Sequence, residues 1–152
     1  MAWTVKIALN RALSLEEESF ELYTRAQKLV TSPNSKKLLQ GIAEEELMHK
    51  TKIMDALKDE RHITELGSVG GVLPETGIMD FVEDTKLSRD ADYQDILIYA
   101  GKREAQTYKY YSELSERLAV SEVGNLFARL AREELSHKLR IEKEYEEHFL
   151  KS

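Results

Sequence analysis

Cysteine is absent from all 152 residues. That excludes disulfides, thiolate zinc sites and iron–tetrathiolate sites, so any metal held by this chain must rest on Glu, Asp or His. Proline occurs twice and glycine seven times, too rarely to break up the long periodic stretches, so extended helices are expected. No apolar run approaches the ~20 residues that span a bilayer, so no membrane partner is expected. A basic excess is also missing. Lys and Arg number 22 against 28 Asp and Glu, a net charge of −6, and no basic patch stands out to neutralise phosphates, which argues against a nucleic-acid partner. The opening "MAWTVKIALNRALSLEEE" lacks the apolar core and cleavage site of a leader peptide, so the chain reads as cytoplasmic.

What remains is four long helical patterns, enough for a single domain over 1–152 with a real core. The first runs from about Val5 to Val30. Ser32 is placed to cap the second, with Pro33 at its first position, and the pattern continues to Lys58. A loose, glycine-rich stretch follows, in which "IMDFVED" could form one short helix. Asp90 or Asp92 is placed to cap the third pattern, which reaches Leu118, and Ser121 the fourth, which ends near Phe149. Short connections make helices one and two, and three and four, antiparallel hairpins over 5–58 and 92–149. A crossover over 59–91 joins them. The expected fold is all-α, a four-helix bundle of two antiparallel hairpins joined by one long crossover.

The two hairpins match at a fixed shift. "IAEEELMHK" at 42–50 returns as "LAREELSHK" at 130–138, so Glu46 meets Glu134 and His49 meets His137 at an offset of 88. The same shift sets Glu16 on Glu104, Phe20 on Tyr108 and Tyr23 on Tyr111, which reads as a duplicated hairpin with near-equivalent halves.

The acidic residues on the buried faces follow from helical spacing. In helix one the stripe Leu9, Ala12, Glu16, Phe20, Tyr23, Val30 admits Glu16 and leaves Glu17 and Glu18 on other faces. In helix three the stripe Leu97, Ala100, Glu104, Tyr108, Tyr111, Leu118 admits Glu104. Helices two and four contribute Glu46 with His49 and Glu134 with His137, one turn apart, beside Ile42, Ala43, Leu47 and Ile53 and their counterparts. Four carboxylates and two imidazoles in one core are costly unless something neutralises them, and two divalent cations would balance four carboxylates. A lone Glu-x-x-His in a charged helix reads as surface charge. Two copies at one offset, each matched by a carboxylate from another helix, form the ligand pattern of di-iron and di-manganese carboxylate bundles. Tyr23 and Tyr111 are expected as core aromatics, with a hydrogen bond to a ligand carboxylate as a second role. Glu17, Glu18, Glu44 and Glu45 are expected in solvent, and His62 and His148 on the surface.

At "LEEESFELY", "IAEEELMHK", "GKREAQTYKYY" and "LAREELSHK" the chain resembles the rubrerythrin-like branch of the ferritin-like di-iron carboxylate superfamily, lacking the rubredoxin domain. The resemblance implies a ferritin-like bundle with two iron ions per chain, for which manganese or zinc could substitute. Glu46 and Glu134 would bridge the ions, Glu16 and Glu104 would be terminal ligands, and His49 and His137 would each serve one ion. It also implies peroxidase or ferroxidase chemistry, with dioxygen or hydrogen peroxide as reactant and an external electron donor. Such relatives tend to carry a further Glu three residues after the third-helix ligand. That position here is Thr107, and its counterpart is Ser19. A ferritin-like iron-binding or storage protein, and a non-enzymatic module held together by its metals, are the alternatives. A homodimer is expected, with exchange of a hairpin between subunits possible.

Overall fold

A computed structural model describes residues 4–59 and 87–151. Four α-helices dominate it: α1 (Val5–Gln27), α2 (Pro33–Lys58), α3 (Tyr93–Arg117) and α4 (Glu122–Tyr145). Each begins at a side-chain cap that takes up an otherwise unpaired amide. Thr4 Oγ1 accepts from Ile7 N at 3.1 Å, and Ser32 Oγ from Ser35 N at 3.4 Å, with Pro33 at the first helical position. At α3 the sequence left Asp90 and Asp92 open. Asp92 is the cap, because Asp95 three residues on completes a reciprocal capping box with it. Ser121 caps α4 through Gly124 N at 3.0 Å.

The helices pair as α1 with α2 and α3 with α4, and the hairpins meet along α1 against α3 and α2 against α4, giving a four-helix bundle. The expected crossover helix around 78–84 and His62 lie outside the described residues. None of the described helices is long and apolar enough to cross a membrane.

The core has two apolar clusters. One gathers Leu9, Ile53, Tyr111, Leu114, Phe127 and Leu130. The other gathers Tyr23, Leu39, Ile42, Ile96, Leu97 and Ile141. On every helix the inward-facing acidic residues fall between the stretches that feed these clusters. The polar centre is therefore sealed from both bundle ends by apolar side chains.

Three expected core residues lie further out. Leu47 is 45% exposed and Tyr108 36%, and Phe20 is only partly buried. The inward arc at mid-helix is narrow and already filled by the carboxylates, imidazoles and their hydrogen-bonding tyrosines. Helix α1 stops at Gln27, before the expected Val30, and α4 passes at Tyr145 into a π-helical turn, Glu146–Leu150. That turn carries His148, which is exposed as expected and also has polar partners. Its Nε2 lies 3.1 Å from Ser35 Oγ and 3.2 Å from Glu144 Oε2. Tyr93 donates to the same Glu144 oxygen at 2.6 Å. This polar knot ties α2, α3 and α4 together at one end of the bundle.

Candidate metal centre

The six residues selected by the helical stripes converge. Glu16 on α1, Glu104 on α3, Glu46 and His49 on α2, and Glu134 and His137 on α4 are each at most 1% exposed. Two overlapping sets form. One ligand atom from each of Glu16, Glu46, His49 and Glu134 lies within 4.8 Å of the others, and the same holds for Glu46, Glu104, Glu134 and His137. Glu46 and Glu134 belong to both. The two imidazoles stack with centroids 5.8 Å apart. Each turns Nδ1 toward the carboxylates: His49 Nδ1 is 3.0 Å from Glu134 and 3.4 Å from Glu16 and Glu46. His137 Nδ1 is 3.1 Å from Glu46 and 3.8 Å from Glu104 and Glu134.

The donor set fits bound metal, on an observation of unsatisfied chemistry. Both oxygens of Glu46, one oxygen each of Glu16, Glu104 and Glu134, and Nδ1 of both histidines are buried without a hydrogen-bond partner. Orphaned buried polar atoms are rare and costly, and here they share one volume. Without metal, protons must do the neutralising. Burial, reinforced by the Glu46 charge, pushes Glu16 up to about 8. Burial with the surrounding carboxylates pushes Glu134 well above its ordinary range. Burial works against charge on Glu46 too, but contacts with His137 and His49 outweigh it and hold that carboxyl below its usual value. Burial likewise disfavours the imidazolium forms, yet neighbouring carboxylates prevail. They raise His49 to about 10, chiefly through Glu16 and Glu46, and His137 to about 12, chiefly through Glu104, Glu45 and Glu46. The cluster thus holds either protons or cations, and cations entering it must expel protons.

The tyrosines fulfil their second role, and they do so crosswise. Tyr23 on α1 donates to Glu104 on α3 at 2.7 Å, and Tyr111 on α3 donates to Glu16 on α1 at 2.8 Å. Each hairpin fixes the other's carboxylate. Helical spacing missed Arg103, which is 8% exposed. Its guanidinium crosses from α3 to α1, reaching Glu18 and the Leu15 carbonyl at 3.1 Å each and Ser19 Oγ at 3.3 Å. Ser19 and Thr107, three residues after Glu16 and Glu104, are buried beside the centre.

Glu45 corrects its expected place in free solvent, and Glu133, on no apolar stripe, behaves like it. Their side chains are 38% exposed, and each leans across the α2–α4 seam toward the opposite imidazole. Glu133 Oε2 comes within 2.9 Å of His49 Nε2, and Glu45 Oε2 within 3.5 Å of His137 Nε2. Glu45 also accepts from Arg140 at 2.9 Å. His137 first, and Arg140 with it, draw its carboxyl down to about 2. The glutamate immediately before each Glu-x-x-His was the available signal, since that position faces the neighbouring hairpin.

No curated protein and no solved structure gives a match to this chain. The rubrerythrin family model matches residues 8–79 and 95–152, and so takes in all six converging residues. With a helical bundle enclosing a buried Glu/His cluster able to hold metal, this match over most of the sequence shows that the chain belongs to the rubrerythrin family.

Proposed function

We propose that the chain is a non-haem di-iron oxidoreductase that reacts with hydrogen peroxide or dioxygen. The observation behind this reading is the pair of buried ligand sets sharing Glu46 and Glu134. Glu16, Glu46, His49 and Glu134 would hold one ion, and Glu46, Glu104, Glu134 and His137 the other. Bound iron supplies the electrons that reduce the oxidant, which is chemistry no side chain here provides.

The chain's own residues set the conditions. Glu46 and Glu134 keep the two positions adjacent. The histidines add one neutral donor each, limiting the site's negative charge. Tyr23 and Tyr111 fix the outer carboxylates by hydrogen bonds and keep their own protons, because burial and the neighbouring glutamates push both phenols well above their ordinary range. The apolar clusters at both ends keep bulk water out, which strengthens every electrostatic interaction inside. Thr107 and Ser19 offer hydroxyls where a further carboxylate could have offered charge. Each position accordingly keeps its single histidine on oxidation, and peroxide turnover is slower than in relatives with that carboxylate. None of the 152 residues is a cysteine, so electrons come from outside these residues or from substrate iron, and the working unit is a homodimer.

Anaerobic loading with ferrous iron, then separate exposure to dioxygen and to peroxide, tests this reading. Two irons per chain and a new near-ultraviolet to visible absorption with either oxidant are expected. Full loading without any spectral change toward both would leave a metal-stabilised module instead.

A further inference from the structure

The 88-residue shift makes the two metal positions look interchangeable, and their inner ligands are nearly so. The outer nitrogens of the two imidazoles are not. His49 Nε2 has Glu133 Oε2 at 2.9 Å, an ion-pair approach without hydrogen-bond alignment. Among the described residues no other cation comes within ion-pair distance of that carboxylate. His137 Nε2 has Glu45 at the longer 3.5 Å, and Glu45 is already held by the Arg140 guanidinium at 2.9 Å. The residue matching Arg140 under the shift is Lys52, and it makes no such contact with Glu133 among the described residues.

A carboxylate facing the outer N–H of a metal-binding imidazole orients the ring and raises its basicity at the inner nitrogen. A carboxylate shared with a guanidinium has less negative charge to give. Arg140 also brings a fixed positive charge to the His137 side, where a cation has to bind. The two effects act in the same direction.

Building on the di-iron reading, we propose that the two metal positions are unequal. The position served by His49 is the tighter and fills first. The position served by His137 is weakened because Arg140 occupies its outer carboxylate, Glu45. Arg140 is then a positioning residue acting through Glu45 and His137 without touching the metal. The consequence is ordered loading: a half-filled centre at low metal supply, completed only when supply rises.

Zinc alone, titrated into the whole metal-free protein, tests this without any turnover. Calorimetry should resolve two events whose affinities differ by about tenfold or more, the size of effect that such outer partners exert. At one equivalent, nitrogen NMR of the histidine rings should show His49 shifted and His137 unshifted. Arg140→Gln should tighten the second event at least threefold (on the order of the lower end of such effects) and leave the first in place. Glu133→Gln should weaken the first by about tenfold. Two events of equal affinity, His137 shifting first, or an unchanged affinity ratio in Arg140→Gln would overturn the proposal and leave the metal centre intact. The ring-nitrogen order in the unmodified protein decides the matter even if a variant fails to fold. No zinc uptake at all would instead remove the metal-centre reading itself.

Discussion

Tyr23→Phe removes one oxygen and little else. In the native structure that oxygen donates to Glu104 at 2.7 Å, with both side chains at most 1% exposed. The partner's other oxygen already lacks a hydrogen-bond partner, so the variant leaves Glu104 with no hydrogen bond. A buried hydrogen bond to a charged group contributes about 1.5–3 kcal/mol. At 2–4 °C per kcal/mol for a chain of this size, metal-free Tyr23→Phe should melt about 3–12 °C lower than the unmodified protein. Losing such a support for a ligand should also weaken metal binding about ten- to a hundredfold. The crossed geometry adds a sharper expectation. In denaturant-unfolding cycles on the metal-free protein, Tyr23→Phe should couple to Glu104→Gln in the opposite hairpin by about 1 kcal/mol. Its coupling to Glu16→Gln in its own helix should be much smaller. Tyr111→Phe, whose bond to Glu16 is 2.8 Å, should show the reverse preference. A Tyr23→Phe protein that melts within 1 °C of the parent and binds metal equally well would refute the account of these tyrosines as ligand supports.

Metal-free protein should lose stability as pH rises. His49 and His137 are raised from 6.5 to about 10 and about 12, so their stabilisation is complete below pH 6.5 and fades as pH climbs toward the folded values. Glu16, raised from 4.5 to about 8, adds a cost of the same sign, because the unfolded chain ionises first. Melting temperatures from pH 5 to 9 should fall without metal, and the gap to the metal-loaded protein should widen; a flat metal-free profile would contradict this. Gly124→Ala should destabilise by about 1–3 kcal/mol in denaturant unfolding, since a Cβ there runs into the Leu118 carbonyl oxygen at the α3–α4 turn. Val120→Gly should stabilise by ~1 kcal/mol in the same assay. Val120 is a fully exposed β-branched residue at φ 63°, a conformation that favours glycine and makes no packing contact worth keeping.

The helices and the six converging residues were legible because both depend on local spacing. Glu16 could be told from Glu17 and Glu18 because a helix turns about 100° per residue, and only Glu16 keeps step with Leu9, Ala12 and Tyr23. Ser32 and Ser121 were readable as caps for a similar reason, since the cap bond closes within three residues. Contacts set by how one hairpin lies against the other were not legible. Glu45 and Glu133 meet imidazole partners that sit 92 and 84 residues away, across the seam between the hairpins. Arg103 is buried only because α1 offers Glu18, Ser19 and the Leu15 carbonyl within its reach. Leu47 lies outward because it stands one residue, about 100° of helix, from Glu46, just as Glu17 stands from Glu16; its apolar side chain, and not its spacing, suggested burial.

The crossing of Tyr23 to Glu104 and Tyr111 to Glu16 bears on how fast metal can leave. Each ligand set draws on both hairpins, so neither hairpin keeps a complete set once the two part. Parting them also breaks both tyrosine bonds. Metal escape and hairpin separation should therefore be one event with one barrier. The off-rate should then follow the hydrogen-exchange rate of the most protected amides in α1 and α3, and should respond to seam substitutions far from any ligand. A chelator added in excess would simply wait for the bundle to breathe, and its concentration would not matter.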